Sequence, residues 1–162
     1  MSVNRHQPHV MVLPEDDANR QLAKGFLLDQ YLSTRKIQVL EEVGGWIKVL
    51  ECFLSDHVFE MNRFPSRFMV LLIDFDGNEE RLQHAKAKIP EHLTDRVFIL
   101  GSWSEPERLK ATLGSYETIG LKLARDCRDQ TDTTWGHDLL RHNANELNRL
   151  SDRVRPFLFP SI

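Results

Sequence analysis

Neither sign of charge is in large excess in this sequence. With 21 Lys and Arg against 24 Asp and Glu, the formal net charge is −3. That supplies no global attraction to nucleic acid or an anionic membrane, although a local basic face is still compatible with nucleic acid. Cysteine is scarce. Cys52 and Cys127 form neither a CxxC pair nor a metal-binding spacing, so they read as buried or idle thiols. No apolar run approaches a membrane span, and the N-terminus lacks the apolar core of a signal peptide. The expectation is a cytoplasmic chain with no membrane contact. Internal repeats and low-complexity segments are also missing. What remains is ordinary for a globular chain. A length of 162 residues, 41% apolar and 28% charged, suits one domain with a sizeable core.

The most informative stretch is Phe68-Met69-Val70-Leu71-Leu72-Ile73-Asp74-Phe75-Asp76-Gly77. Its unbroken apolar run reads as a strand buried on both faces, as in a parallel sheet. Two carboxylates buried there without partners would be costly, so they belong where the strand emerges and need compensation. Three further strands are expected at Pro8–Leu13, Lys36–Leu40 and Arg96–Leu100. Helical spacing follows each of them. Leu22, Ala23, Phe26 and Leu27 form one stripe, ending near Leu28-Asp29. Trp46, Val49, Leu50, Phe53 and Leu54 form a second, reaching about Phe59. A charged helix is expected over Glu79–Lys88, and another from Ser104 as N-cap, through Pro106 and Glu107, to about Leu113. Tyr116–Arg128 and His137–Arg149 complete the set, before an apolar tail at Val154–Phe159.

The alternation implies an α/β fold with a three-layer arrangement: a four-stranded, mainly parallel sheet with right-handed crossovers, plus C-terminal helices. Residues 1–162 read as a single domain, with 8–113 as the α/β core and 114–162 as a helical extension packing on it. In such sheets the functional crevice lies beyond the carboxyl ends of the strands. Every strand delivers carboxylates or glycines to that rim: Glu15, Asp16 and Asp17; Glu41, Glu42, Gly44 and Gly45; Asp74, Asp76 and Gly77; Glu105 and Glu107. Clustered carboxylates repel unless a cation sits among them, and hard oxygen ligands suit Mg²⁺ or Mn²⁺. Such a site supports phosphoryl transfer or phosphodiester hydrolysis. Asp16, Asp17 and Glu107 have an equal reading as helix caps.

The layout resembles the Toprim domain of topoisomerases, bacterial primases, ribosomal-RNA maturases and the overcoming-lysogenization-defect nucleases. The likeness rests on Glu15 after the first strand, Gly44-Gly45 after the second, and Asp74-Phe75-Asp76 with Gly77 after the third. The stretch Ser104-Glu105-Pro106-Glu107-Arg108-Leu109 is similar to the acidic segment of the nuclease branch. It covers about residues 8–113. Pro14 and Asp16 stand where the family carries a glycine beside its first glutamate. The resemblance implies a Mg²⁺-dependent nuclease or related phosphoryl-transfer protein acting on DNA or RNA. Glu15 would be general base or metal ligand, Asp74 and Asp76 metal ligands, and Glu105 or Glu107 ligands of a second metal. A protein partner could supply the basic surface that the chain lacks.

Two other readings stay open. Val10 to Leu22 looks like the first strand and acidic pair of a response-regulator receiver, with Asp16, Asp17 and a phosphorylated Asp74, although no lysine follows a fifth strand. A catalytically inactive Toprim-like interaction module is the other. A phosphatase of the haloacid-dehalogenase type is disfavoured, because too few strands follow Asp74-Phe75-Asp76-Gly77. Lys48, Arg63, Arg67 and Arg81 are candidate phosphate contacts or solvated surface charge. On one helix His137 would share a face with Arg141, and Asp138 with His142, near a metal or substrate or as a capped helix start. Trp46 and Trp103 either stack on a base or close the core.

Overall fold

The fold is described from a computed structural model covering residues 2–160. Four strands, β1 (His9–Pro14), β2 (Ile37–Val39), β3 (Arg67–Leu72) and β4 (Val97–Leu100), form one sheet in the order β2-β1-β3-β4. Every pairing is parallel, with Val10 opposite Ile37 and Phe68, and Leu72 opposite Leu100. β1 and β3 are central, and their unbroken apolar runs are buried on both faces.

Alternate residues feed two separate layers. Met11, Leu13, Met69, Leu71, Ile73 and Ile99 pack on Val49, Leu50, Phe53 and Met61, and on Ala85. These partners come from α2 (Trp46–Cys52), a π-helical turn at Phe53–His57, α3 (Val58–Arg63) and α4 (Glu79–Lys88). Val10, Val12, Phe68, Val70, Phe98 and Leu100 face the other way. They pack on Ala23 of α1 (Asp17–Phe26), Leu150 of α7 (Ala144–Arg153) and Leu158 of α8 (Arg155–Leu158). A third cluster joins Leu22 to Leu109 of α5 (Glu107–Leu113) and to Ile119 and Leu123 of α6 (Tyr116–Asp129). Helices α1 and α6 cross where both lack a side chain. A Cβ on Gly25 would lie 2.2 Å from the Glu117 carbonyl, and one on Gly120 would lie 2.1 Å from that of Leu22. The result is a three-layer α/β sandwich. Among the described residues no helix is long and apolar enough to cross a membrane.

Several elements differ from their sequence reading. The helix from Trp46 continues through its π-helical turn to Arg63 rather than stopping near Phe59. Pro106, not Ser104, is the N-cap of α5, and no side chain caps it; the Ser104 hydroxyl is buried without a partner. The span His137–Arg149 is not one helix. Turns lead into a 3₁₀ segment at Arg141–Asn143, and α7 starts only at Ala144.

That irregular start has a purpose at the β4 edge, where unpaired backbone groups need cover. Glu146 accepts the Ile99 N–H (2.9 Å). Asn143 accepts the Gly101 N–H (3.1 Å) and donates to the Gly101 carbonyl (3.0 Å). Two side chains thus occupy the hydrogen-bonding positions of a missing fifth strand.

Candidate functional site

In the order β2-β1-β3-β4 the chain leaves β1 toward one face of the sheet and leaves β3 toward the other. The crevice between their carboxyl ends is the topological switch point. Glu15 and Asp74 are the residues placed there. Glu15 is held on three sides. Its N–H donates to the Leu72 carbonyl (2.9 Å), and its own carbonyl accepts from Gly44 (2.8 Å). Its side-chain Oε2 accepts the Asp74 N–H (2.5 Å). Gly44 and Gly45 have φ of 90° and 156°, which lets the turn after β2 fold back onto Glu15.

Beyond β3 the ladder to the chain after β4 continues. Ile73 donates to Leu100 (2.9 Å), Phe75 to Ser102 (3.0 Å) and Gly77 to Trp103 (2.6 Å). Asp74 is thereby kept in strand-like register, half-buried, with its Oδ1 enclosed and lacking any hydrogen-bond partner. Burial pushes the Asp74 carboxyl up to about 7, aided by the negative charges of Glu15, Asp16 and Glu107 and opposed by Arg81. Burial also raises Glu15, and the Asp74 N–H draws it partly back. Two acids with raised proton affinity at a sheet switch point mark a candidate functional site.

Asp76 does not join them. Its backbone turns into the left-handed region (φ 50°), and its side chain is 69% exposed, 3.5 Å from the Arg81 guanidinium. Arg81 also donates to the Asp74 carbonyl (2.7 Å) and lies over the Trp46 ring (5.0 Å). It is the cation nearest the acidic pair, and sequence reading gave it no more weight than its neighbours. Of those neighbours, Arg67 lies at the opposite end of β3. It is buried, donating to Nε2 of His9 (3.0 Å), so it is not a rim residue. The exposed Lys48 sits with its amine beside the Gly44 turn.

Asp16 caps α1, accepting from the backbone and side-chain amides of Asn19 (2.9 Å each). Its charge also reaches Asp74. Asp17 is exposed and accepts from Gln21 (2.5 Å). Glu107, exposed at the start of α5, acts on Asp74 and on the buried Tyr116, whose phenol burial and these acids together raise. Glu105 is exposed, and no ion pair or hydrogen bond joins its side chain to Glu15 or Asp74.

The His137 group lies away from the pair. Its Nε2 meets the Thr112 hydroxyl (3.2 Å) and its Nδ1 accepts the Leu139 N–H (3.1 Å). Asp138 pairs with Arg141 in solvent (3.4 Å) instead of sharing a face with His142. His142 turns inward, edge-on to Phe75 (5.0 Å) and beside Trp103 (5.3 Å), with neither ring nitrogen bonded. Both Trp46 and Trp103 pack against the core cluster under α2 and α4.

Among the described residues no three His, Cys, Asp or Glu side chains converge as a preformed metal cage. Magnesium does not require one: it uses one or two carboxylates and keeps waters or substrate oxygens for the rest of its shell. The enclosed, unpartnered Asp74 Oδ1 and the adjacent Glu15 and Asp16 charges fit such a cation. Asp76, as placed, does not. No protein-family model, curated protein or solved structure matches the chain.

Proposed function

We propose that this chain is a Mg²⁺-dependent nuclease or a related phosphoryl-transfer protein acting on nucleic acid, built on a Toprim-like scaffold. The observation that carries the proposal is the Glu15–Asp74 unit. A carboxylate from the end of β1 is bonded to the backbone of the β3 acid at the switch point, and that acid keeps a buried oxygen without a partner. Asp74 would hold the cation, with the negative charges of Glu15 and Asp16 beside it. When bound, Mg²⁺ would polarise a phosphate oxygen and acidify a water. The chain's own residues supply the rest. Glu15, its proton affinity raised by burial, accepts a proton at the carboxylate oxygen not used by the Asp74 N–H. Arg81, fixed between the Asp74 carbonyl, Asp76 and Trp46, offers positive charge to the phosphate backbone. Against the receiver reading, Asp16 is committed to capping α1 and Asp17 faces solvent, so they form no acidic pair beside Asp74.

The test is to incubate the protein with plasmid, single-stranded DNA and structured RNA in Mg²⁺ or Mn²⁺. Cleavage of at least one substrate is expected, falling by about 100-fold or more in Asp74→Ala, the scale of losing a transition-state charge contact. No cleavage of any of the three, or equal cleavage by the variant, would overturn the proposal.

A further inference from the structure

The sheet register sets two residues opposite each other beyond the strands. Pro14 is opposite Leu72 and Leu72 is opposite Leu100. The Phe75 N–H reaches the Ser102 carbonyl at 3.0 Å, so that register continues past β3. Two residues farther on, Asp74 and Ser102 therefore stand opposite each other on neighbouring segments. Ser102 is 1% exposed, and its hydroxyl has no hydrogen-bond partner; the neighbouring Asp74 Oδ1 has none either. Buried serine hydroxyls normally find a carbonyl, and buried carboxylate oxygens a donor. Here two adjacent strands bury one of each, unpartnered, at the same level. Nothing in the sequence singles out Ser102. It belongs to the short loop after β4, between Gly101 and Trp103.

We propose that Ser102 Oγ is a direct ligand of the divalent cation held by Asp74, a neutral hard oxygen supplied by the fourth strand. This rests on the cation reading of the Glu15–Asp74 unit given above. A hydroxyl ligand adds an oxygen without adding repulsion to a rim that already carries Glu15, Asp16 and Glu107. It also explains how the site completes a shell although Asp76 is turned away.

Mn²⁺ alone is the probe. The full chain is titrated at pH 8 and free Mn²⁺ is read by electron paramagnetic resonance, with thermal melts as the fold control. Wild type is expected to bind one ion at the rim. Ser102→Ala should bind it at least ~10-fold more weakly while melting cooperatively, the scale seen when a metal site loses one supporting group. Ser102→Cys places a soft sulfur in the same position. It should lose Mn²⁺ affinity and gain Cd²⁺ affinity over wild type by ~10-fold or more. If Asp74→Asn abolishes Mn²⁺ binding while Ser102→Ala retains it, the cation reading stands and Ser102 is not a ligand. A Ser102→Cys variant with no gain for Cd²⁺ likewise overturns direct ligation. Absence of Mn²⁺ binding by wild type overturns both readings.

Discussion

Among the single residues of the rim, Asp74 is the acid that the fold perturbs most. Its carboxyl is pushed to about 7 by burial and by the Glu15, Asp16 and Glu107 charges. An unfolded aspartate titrates near ~3.9. Because the folded value is the higher one, the protonated acid stabilises the fold fully below about pH 4. That stabilisation declines as the pH rises and is gone above about 7. Asp74→Asn removes the titration while keeping the shape. Without divalent ions it should raise the thermal midpoint by about 2–6 °C at pH 8 and by less than ~1 °C near pH 4. Melts across that range check it, and a pH-independent difference would contradict it. Glu15 and Asp74 were legible in the sequence because each directly follows an apolar run that must end at the sheet rim. The divergence of Asp76 was missed although Asp76-Gly77 is a local turn signal: both residues have positive φ (50° and 65°), and the Asn78 N–H donates to the Phe75 carbonyl (2.9 Å), the type I′ pattern. The Gly77 bond to Trp103 then ties that turn to the chain after β4. Arg81 was hidden for a different reason. In a charged helix every cation looks alike until the fold aims one of them at the acids.

At the scale of elements, the strands and the helix over Glu79–Lys88 follow from periodicity, and the structure reproduces them within a residue or two. Periodicity failed between His137 and Asn143, where the backbone serves the β4 edge rather than a helical face. Asn143 makes two bonds to Gly101 and a third to the Leu140 carbonyl (2.8 Å). Asn143→Ala would strand a buried N–H and a buried carbonyl. A loss of about 2–6 kcal/mol is expected, at ~1–3 kcal/mol for each unsatisfied group. Urea denaturation measures this, and a loss below ~1 kcal/mol would show that the edge is covered in some other way. Glu146 is tied down as well, by Arg149 (2.7 Å) and Lys86 (3.3 Å), so the β4 edge is fastened to both helical layers.

On the scale of the whole molecule, the last third of the chain is a structural layer. Leu150, Val154, Leu158 and Phe159 complete the cluster on one face of the sheet, and α6 packs along α1. A fragment of residues 1–113 lacks those side chains and bares Val10, Val12, Val70, Phe98 and Leu100. It should show no cooperative melt and should bind a hydrophobic dye strongly. A sharply melting fragment would contradict this view. The three layers bring two acids from separate strands to one switch point, and whether they hold a cation there can be tested directly. A crystal soaked in Mn²⁺ at pH 8 and measured for anomalous scattering provides that test. A peak is expected in the crevice between β1 and β3, within ~2.0–2.3 Å of Asp74 Oδ1 and close to Glu15, at inner-sphere distance for a small hard cation. A rim without a peak, or a peak on Asp76 that leaves Asp74 unligated, would contradict it.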